Sequence, residues 1–355
     1  MSEHVPHETR EVPGMKAEHD HPAVLEGQKV PDLDAIAAQH MTLSVWARRT
    51  PVFDKDDFAS LHDTSINFKF ELLQAGGTFK IRGAFSNLLA LDEGQRNAGV
   101  TCVSAGNHAV AVAYAAQRLG IGAKVVMFKH ANPARIALCR TYGAEVRLAG
   151  NVAEAFDLAR QIEAEEGRSF VHPFNGYHTI LGTATLGYEW ITQASELDAV
   201  IVPIGGGGLA AGIATAMRLA NPRCKVYGVE PVGSDAMSRS FAASHPVTMG
   251  EMHSIADSLM APHTEAYSYE LCRRYVEEIV TVTDDALRLA MLALFDQLKL
   301  AVEPACAAAT AALLGPLRER LSGKRVGVLL CGTNTDVPTF ERHINAAMSL
   351  QQLHA

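Results

Sequence analysis

The sequence lacks several features that would place it in a specialised class of protein. Its six cysteines include no Cys-x-x-Cys pair, which argues against a zinc site or a disulfide framework and favours reduced thiols. A net charge of -8 without any basic stripe argues against a nucleic-acid partner. Internal repeats and low-complexity blocks are also missing. Because 48% of the residues are hydrophobic and 20% are charged, we expect an ordinary globular protein.

Uninterrupted apolar segments are missing as well. The first 22 residues mix charges and histidines without an apolar core, so no secretory signal is expected. One uncharged stretch, 199–217, is long enough to raise the question of a membrane span. It contains Pro203 and four consecutive glycines, which would leave backbone groups unsatisfied in lipid. A strand, a loop and a helix explain it better, and we expect a cytoplasmic protein without membrane contact.

The N-terminal segment differs from the rest of the chain. Residues 1–30 are polar and are predicted to form a disordered tail. The tail contains His4, His7, His19 and His21, so metal binding is an alternative to a solvated tail, which is favoured.

From Asp32 onward, segments typical of strands and helices alternate. The predicted strands are Val100–Val103, Ala123–Phe128, Glu145–Leu148, Ala199–Ile204, Lys225–Val229 and Arg325–Leu330, and the predicted helices are Ala109–Leu119, Asn132–Tyr142, Asn151–Glu166 and Leu209–Leu219. Apolar strands joined by crossover helices indicate parallel sheets. The simplest architecture is two α/β lobes with a site between them, at the carboxyl ends of the strands.

A run of four glycines, Gly205–Gly208, is the strongest single feature. It follows a predicted strand and precedes a helix that begins at Leu209. Glycines let backbone amides approach an anion closely, and the helix N-terminus adds a favourable dipole. The run therefore predicts a phosphate-binding turn, with a tight turn that binds no ligand as the alternative.

The same glycines also fit a dinucleotide-binding pattern. Gly206-x-Gly208-x-x-Ala211 opens a helix and precedes Glu230, an acid placed for a ribose hydroxyl. On this segment alone, a nicotinamide-dependent oxidoreductase is an alternative.

Two other segments carry chemistry. Lys80 lies among glycines and apolar residues, so desolvation is expected to lower its pKa and favour the nucleophilic neutral amine. The segment Ser104–His108 lies at a strand-to-helix turn whose hydroxyl, amide and N–H groups suit a carboxylate. A helix cap without a ligand is the alternative for this second segment.

In their order along the chain, these motifs resemble those of the threonine and serine dehydratases. That family belongs to the fold type II, tryptophan synthase beta-like, pyridoxal-phosphate enzymes. The resemblance extends from Thr50 to Asp336 and rests on Thr78–Gly83, Ser104–His108, Gly205–Gly208 and Cys331–Asn334. It implies an α/β fold of two open, twisted, mostly parallel sheet domains. A small domain at 97–173 would be inserted into a large domain formed by 31–96 and 174–355.

The resemblance also implies a role for each site residue. Lys80 would hold pyridoxal 5'-phosphate as a Schiff base and, with Ser104, form the catalytic set. The implied cofactor-binding residues are Phe79, Lys80, Asn107, Gly205, Gly206, Gly207, Gly208, Leu209 and Cys331. The implied substrate-binding residues are Ser104, Ala105, Gly106, Asn107 and His108. No metal ligand is predicted.

The implied reaction is an α,β-elimination that converts a hydroxy amino acid to a 2-keto acid and ammonia. Threonine and serine are the expected substrates, and other hydroxy amino acids such as 3-hydroxyaspartate are alternatives. Ala105 occupies the position where serine racemases have a second serine, so racemisation is not expected. A nicotinamide-dependent oxidoreductase stays an alternative, although it leaves Lys80 without a role. By the same resemblance, the protein is expected to be a homodimer.

Overall fold

The computed structural model describes residues 21–104 and 106–354. The strands are β1 Val24–Leu25, β2 Gln28–Lys29, β3 Val52–Lys55, β4 Ser65–Lys69, β5 Val100–Val103, β6 Ala123–Phe128, β7 Glu145–Ala149, β8 Ser169–Phe170, β9 Ala199–Pro203, β10 Lys225–Pro231, β11 Glu278–Val282 and β12 Arg325–Leu329. The α-helices are α1 Leu33–Leu43, α2 Lys80–Leu89, α3 Glu93–Ala98, α4 Asn107–Leu119, α5 Pro133–Thr141, α6 Val152–Glu166, α7 Tyr177–Gln193, α8 Gly208–Ala220, α9 Ala236–Ala243, α10 Ala266–Tyr275, α11 Asp284–Leu298, α12 Pro304–Leu314 and α13 Val337–His354.

Two sheets organise these elements. The larger sheet has six strands in the order β11-β10-β9-β12-β4-β3, all parallel except the antiparallel edge strand β3. The smaller sheet has four parallel strands in the order β7-β6-β5-β8. The predicted α/β class with two mostly parallel sheets is therefore confirmed. The four-stranded sheet lies within 97–173, but α2 shares its hydrophobic core, and the exact domain boundaries stay a prediction.

The predicted tail of residues 1–30 needs correction at its end. Up to residue 20 the prediction, with His4, His7 and His19, lies outside the described residues. Between residues 21 and 30, however, β1 and β2 pair as an antiparallel hairpin. The hydroxyl of Tyr267 donates a hydrogen bond to the carbonyl of Lys29 at 2.5 Å. The tail prediction is wrong for this stretch because its anchor lies more than 200 residues away in the sequence.

Helices α7 and α8 pack closely because small residues lie between them. A Cβ at Gly212 would lie 2.1 Å from the Thr183 hydroxyl oxygen, and one at Gly187 would lie 2.9 Å from the Cβ of Ala216. Such distances leave no room for a larger side chain at either glycine. This packing fixes the N-terminus of α8, where the four glycines lie.

A buried ionic network holds α2 against α7. The Arg82 guanidinium contacts Glu71 at 2.8 Å and Glu189 at 3.0 Å, and all three side chains are buried. Removing one partner from such a network would leave an uncompensated buried charge. The network therefore constrains the start of α2, where Lys80 is the first helical residue.

In the described part of the chain, no helix combines the length and apolar character needed to cross a bilayer.

Candidate active site

A cavity lies between the two sheets and brings several predicted residues together. It is lined by Phe79, Lys80, His108, Gly208 and Leu209, among others. These residues follow the carboxyl ends of strands or begin helices, which is where α/β proteins bind ligands. The structure thus brings the lysine motif, the Ser104–His108 segment and the four-glycine turn to one place.

Lys80 presents its amine to this cavity. Its Nζ donates a hydrogen bond to the Pro173 carbonyl at 2.5 Å and lies 5.2 Å from the centre of the Phe79 ring. Desolvation lowers the pKa of Lys80 from 10.5 to about 8, and the thiol of Cys331 opposes this shift. A lysine with this pKa has an appreciable neutral fraction near neutral pH, as a nucleophile or general base requires. The lowered pKa predicted from the sequence is confirmed.

The four-glycine turn leaves backbone amides available at the start of α8. Gly207 caps the helix with a φ of +99°, which favours glycine. No side chain among the described residues caps the first turn. A Cβ at Gly206 would lie 2.2 Å from the Phe174 ring, and one at Gly208 would lie 2.4 Å from the Phe174 carbonyl oxygen. The glycines thus permit close packing of Phe174 as well as approach of an anion.

The Ser104–His108 segment joins β5 to α4. The Ser104 hydroxyl accepts a hydrogen bond from the Gly106 amide at 3.0 Å, while Ala105 lies outside the described residues. The Asn107 side chain donates to Glu303 at 2.6 Å and accepts from Asn334 at 2.9 Å. The local turn is therefore held by its own hydrogen bonds and by residues from the other side of the cleft.

His108 is buried against the same cavity. Its Nε2 lies 2.8 Å from the Val171 carbonyl, to which it can donate only as an N–H. Burial lowers the pKa of His108 to about 3, and the nearby Lys80 lowers it further. His108 is therefore neutral at physiological pH.

Cys331 follows β12 and lies beside the start of α2. Its carbonyl accepts a hydrogen bond from the Phe79 amide at 3.2 Å. A hydrogen bond with Cys306, together with burial, raises the pKa of the Cys331 thiol well above its usual range. Cys331 therefore stays a neutral thiol near Lys80.

Sequence reasoning missed one charged residue of the site, Arg135 on α5. Its guanidinium contacts Asp257 at 2.7 Å and Glu303 at 2.9 Å, and its Nε donates to the Asn334 carbonyl at 2.7 Å. These partners lie 122, 168 and 199 residues away in the sequence, so periodicity could not reveal them. The only local signal is an arginine in the first turn of a helix that begins with Asn-Pro.

Glu230 does not support the dinucleotide alternative. Its carboxylate accepts hydrogen bonds from the backbone amides of Met237 and Ser238, at 2.9 and 2.8 Å, and from the Ser238 hydroxyl at 2.6 Å. Burial raises the pKa of Glu230 to about 7. The carboxylate thus holds the start of α9 and is already engaged, so the alternative loses its ribose ligand.

Comparison with known proteins identifies the chain's relatives. Residues 43–332 match the family described as pyridoxal-phosphate dependent enzyme. A phenylserine dehydratase from Ralstonia pickettii is 69% identical over 320 residues, covering 90% of this chain and 98% of the relative. An L-threonine ammonia-lyase from Thermotoga maritima is 36% identical over 317 residues, covering 89% of this chain and 79% of the relative.

Solved structures agree with the sequence relatives. Maize serine racemase superposes with a TM-score of 0.84 at 32% identity, covering 91% of this chain and 99% of that one. A bacterial threonine deaminase, from T.th., has a TM-score of 0.81 at 36% identity, covering 86% of this chain and 99% of that one. The predicted resemblance to the dehydratase group is confirmed.

Proposed function

This chain belongs to the pyridoxal-phosphate dependent enzymes, and we propose that it eliminates water and ammonia from a hydroxy amino acid with an aromatic β-substituent. Phenylserine, named for the Ralstonia relative, is the substrate we expect. The observation that carries the proposal is the shared cavity of Lys80 and the four-glycine turn. The dehydratase class agrees with the sequence prediction, whereas the aromatic substrate refines the expected threonine or serine.

The residues present fit pyridoxal phosphate. An amine of lowered pKa and an uncapped, glycine-rich helix start line one cavity, and they suit an aldehyde and a phosphate respectively. When bound, the cofactor supplies an aldehyde that condenses with amines and a ring that accepts electron density from the substrate's α-carbon. Lys80 would hold the aldehyde, and Gly205–Gly208 with Leu209 would hold the phosphate.

Lys80 would then act as the general base. With its pKa near 8, its Nζ can be neutral once the substrate amine has displaced it, and it can take the substrate's α-proton. Loss of the β-hydroxyl completes the removal of water, and hydrolysis gives a 2-keto acid and ammonia. The Ser104 hydroxyl, assigned to the catalytic set from the sequence, is held by Gly106.

The other residues would bind and orient. Backbone N–H groups at the start of α4, with Ser104, Asn107 and His108, would hold the substrate carboxylate. Neutral Cys331 would face the ring nitrogen, where a thiol is a poor proton source. The ring would then withdraw fewer electrons, which favours β-elimination over reactions that need a longer-lived carbanion.

Charge in the cleft disfavours a second substrate carboxylate. Arg135 packs on the Ser104–His108 segment, and two carboxylates already neutralise it. The side chain of a hydroxyaspartate would approach Glu303 and Asp257, whose negative charges would repel it. We therefore rank hydroxy amino acids with neutral side chains above 3-hydroxyaspartate, although a yeast relative 35% identical is named for that substrate.

We also propose that the enzyme is a cytoplasmic homodimer. Support for the compartment comes from the six cysteines, all buried and unpaired in the described structure. Support for the dimer comes from the resemblance to the dehydratase family.

A substrate panel tests the proposed function. Ammonia and keto acid are measured together for phenylserine, threonine, serine and 3-hydroxyaspartate. Burial of a phenyl ring contributes about 2 kcal/mol, so kcat/KM for phenylserine should exceed that for threonine roughly 30-fold. Lys80→Ala should abolish turnover of every substrate. A preference for threonine or hydroxyaspartate would contradict the aromatic assignment, and failure to form keto acid from any of them would contradict the dehydratase itself.

A further inference from the structure

A cluster of polar side chains surrounds Asn107 at the mouth of the cleft. We call it the Arg135 cluster, and its members are Arg135, Asp257, Glu303, Asn334 and Asn107. Arg135 and Glu303 are almost completely buried, with exposed fractions of 3% and 1%. The Arg135 side chain also packs on Gly106, where a Cβ would lie 2.4 Å from the arginine Cδ. A small-lobe helix is thus joined to the expected substrate loop and to the large sheet's side of the cleft.

Glu303 connects Arg135 to Asn107. Its Oε2 accepts from the Arg135 guanidinium at 2.9 Å, and its Oε1 accepts from Asn107 Nδ2 at 2.6 Å. An ionised carboxylate can only accept hydrogen bonds, so it requires the amide nitrogen of Asn107 to face it. On the other side, Asn334 Nδ2 donates to Asn107 Oδ1 at 2.9 Å.

These two neighbours fix the orientation of the Asn107 amide. Its oxygen is used by Asn334, and one of its N–H groups is used by Glu303. The second N–H lies near the Ser258 hydroxyl only at 3.5 Å, which is a weak hydrogen bond. Asn107 therefore offers a donor, and not an acceptor, to any ligand that binds in the cleft.

The charge on Glu303 is the condition for this arrangement. Burial raises the pKa of Glu303 to about 7, and the neighbouring Asp257 raises it further, while Arg135 lowers it. The thiol of Cys331, on the following strand end, also faces this carboxylate and is neutral. Without Arg135, Glu303 would take up a proton, and a protonated carboxyl could donate to Asn107 and reverse its amide.

We propose that Arg135 is a positioning residue that keeps Glu303 ionised and thereby fixes Asn107 as the hydrogen-bond donor to the ring oxygen of bound pyridoxal phosphate. The inference deepens the proposed function and rests on it for the identity of the cofactor. Arg135 itself touches neither cofactor nor substrate in this account. Its effect reaches the site through one carboxylate.

The test compares three substitutions at or near Arg135 in the purified holoenzyme. Arg135→Gln removes the charge, Arg135→Lys keeps it, and Arg140→Gln removes an exposed arginine from the same helix as a matched control. The visible spectrum of the lysine-bound cofactor is titrated with pH in the absence of substrate. Steady-state kcat and KM are then measured, and circular dichroism checks the fold.

We expect Arg135→Gln to raise the midpoint of the spectral titration by about one pH unit or more, because Glu303 then ionises only at higher pH. Its kcat should fall about tenfold at neutral pH, with KM nearly unchanged, and should recover partly at alkaline pH. Arg135→Lys should restore the wild-type midpoint, and Arg140→Gln should change neither quantity.

Other outcomes would overturn the inference. An unchanged midpoint with a large rise in KM alone would make Arg135 a direct ligand of the substrate carboxylate. If Arg135→Gln does not fold, Glu303→Gln carries the test, since it must lose the pH-dependent spectral change that wild type shows. A Glu303→Gln titration like that of wild type would contradict the role of Glu303. Failure of the proposed function would look different, because wild type itself would then show no lysine-bound cofactor spectrum.

Discussion

At the scale of single residues, the sequence predicted chemistry where local context sets it. Lys80 lies between glycines and apolar residues, and burial at the cleft lowers its pKa to about 8, as that context predicted. Its hydrogen-bond acceptor, the Pro173 carbonyl, lies 93 residues away and could not be inferred. The partners of Arg135 were missed for the same reason. Local sequence predicts the environment of a side chain but not its distant partners.

His108 gives a pH dependence of stability. Its pKa is about 3 in the folded protein and about 6.5 when unfolded, so between these values the unfolded chain binds more protons. The stabilisation from neutral His108 is complete above about pH 6.5 and is lost progressively as pH falls toward the folded pKa. At about pH 5 the loss is about 2 kcal/mol.

We therefore predict that His108→Gln reduces the acid sensitivity of folding. The decrease in free energy of unfolding between about pH 7 and pH 5 should be about 2 kcal/mol smaller than in wild type, as measured by urea denaturation. Glutamine can still donate to the Val171 carbonyl but does not titrate. The exposed His245→Gln serves as the control and should match wild type. Equal acid sensitivity in His108→Gln and wild type would show that His108 does not titrate as described.

At the scale of elements, the apolar runs predicted the central strands well. β5 and β6 lie at the predicted bounds, because short buried runs between turns are typical of parallel strands. Helices α4 and α8 begin one or two residues earlier than predicted, since Asn107 and Gly208 already adopt helical conformation. The β1–β2 hairpin was missed because Tyr267, far along the chain, anchors it.

The four-glycine turn yields a prediction for Gly206→Ala. The new Cβ would meet the Phe174 ring, so the free energy of unfolding should fall by about 1–3 kcal/mol and the Kd for pyridoxal phosphate should rise. Gly250→Ala is the matched control, because a Cβ there would meet nothing within 4 Å, and it should be nearly neutral.

Phe174→Ala separates the clash from other effects of Gly206→Ala. If the clash is the cause, Gly206→Ala should cost much less in the Phe174→Ala background than in wild type. An equal cost in both backgrounds would show that the glycine is needed for another reason, such as backbone conformation.

At the scale of the whole molecule, the motifs predicted two α/β lobes and the meeting of three segments in one cleft. The cavity shared by Lys80, His108 and Gly208 agrees with that expectation. What the sequence did not reveal is how the lobes are joined. The Arg135 cluster and the Lys80–Pro173 hydrogen bond connect residues that only the folded topology brings together.

Covalent labelling of the holoenzyme tests the central claim most directly. The protein is incubated with pyridoxal phosphate, reduced with borohydride, digested and mapped by mass spectrometry, with Lys80→Ala treated in parallel. The account predicts a single reduced cofactor adduct on the peptide that contains Lys80, and loss of the visible absorbance in the variant. An adduct on a different lysine, or a Lys80→Ala variant that stays equally coloured after desalting, would contradict it.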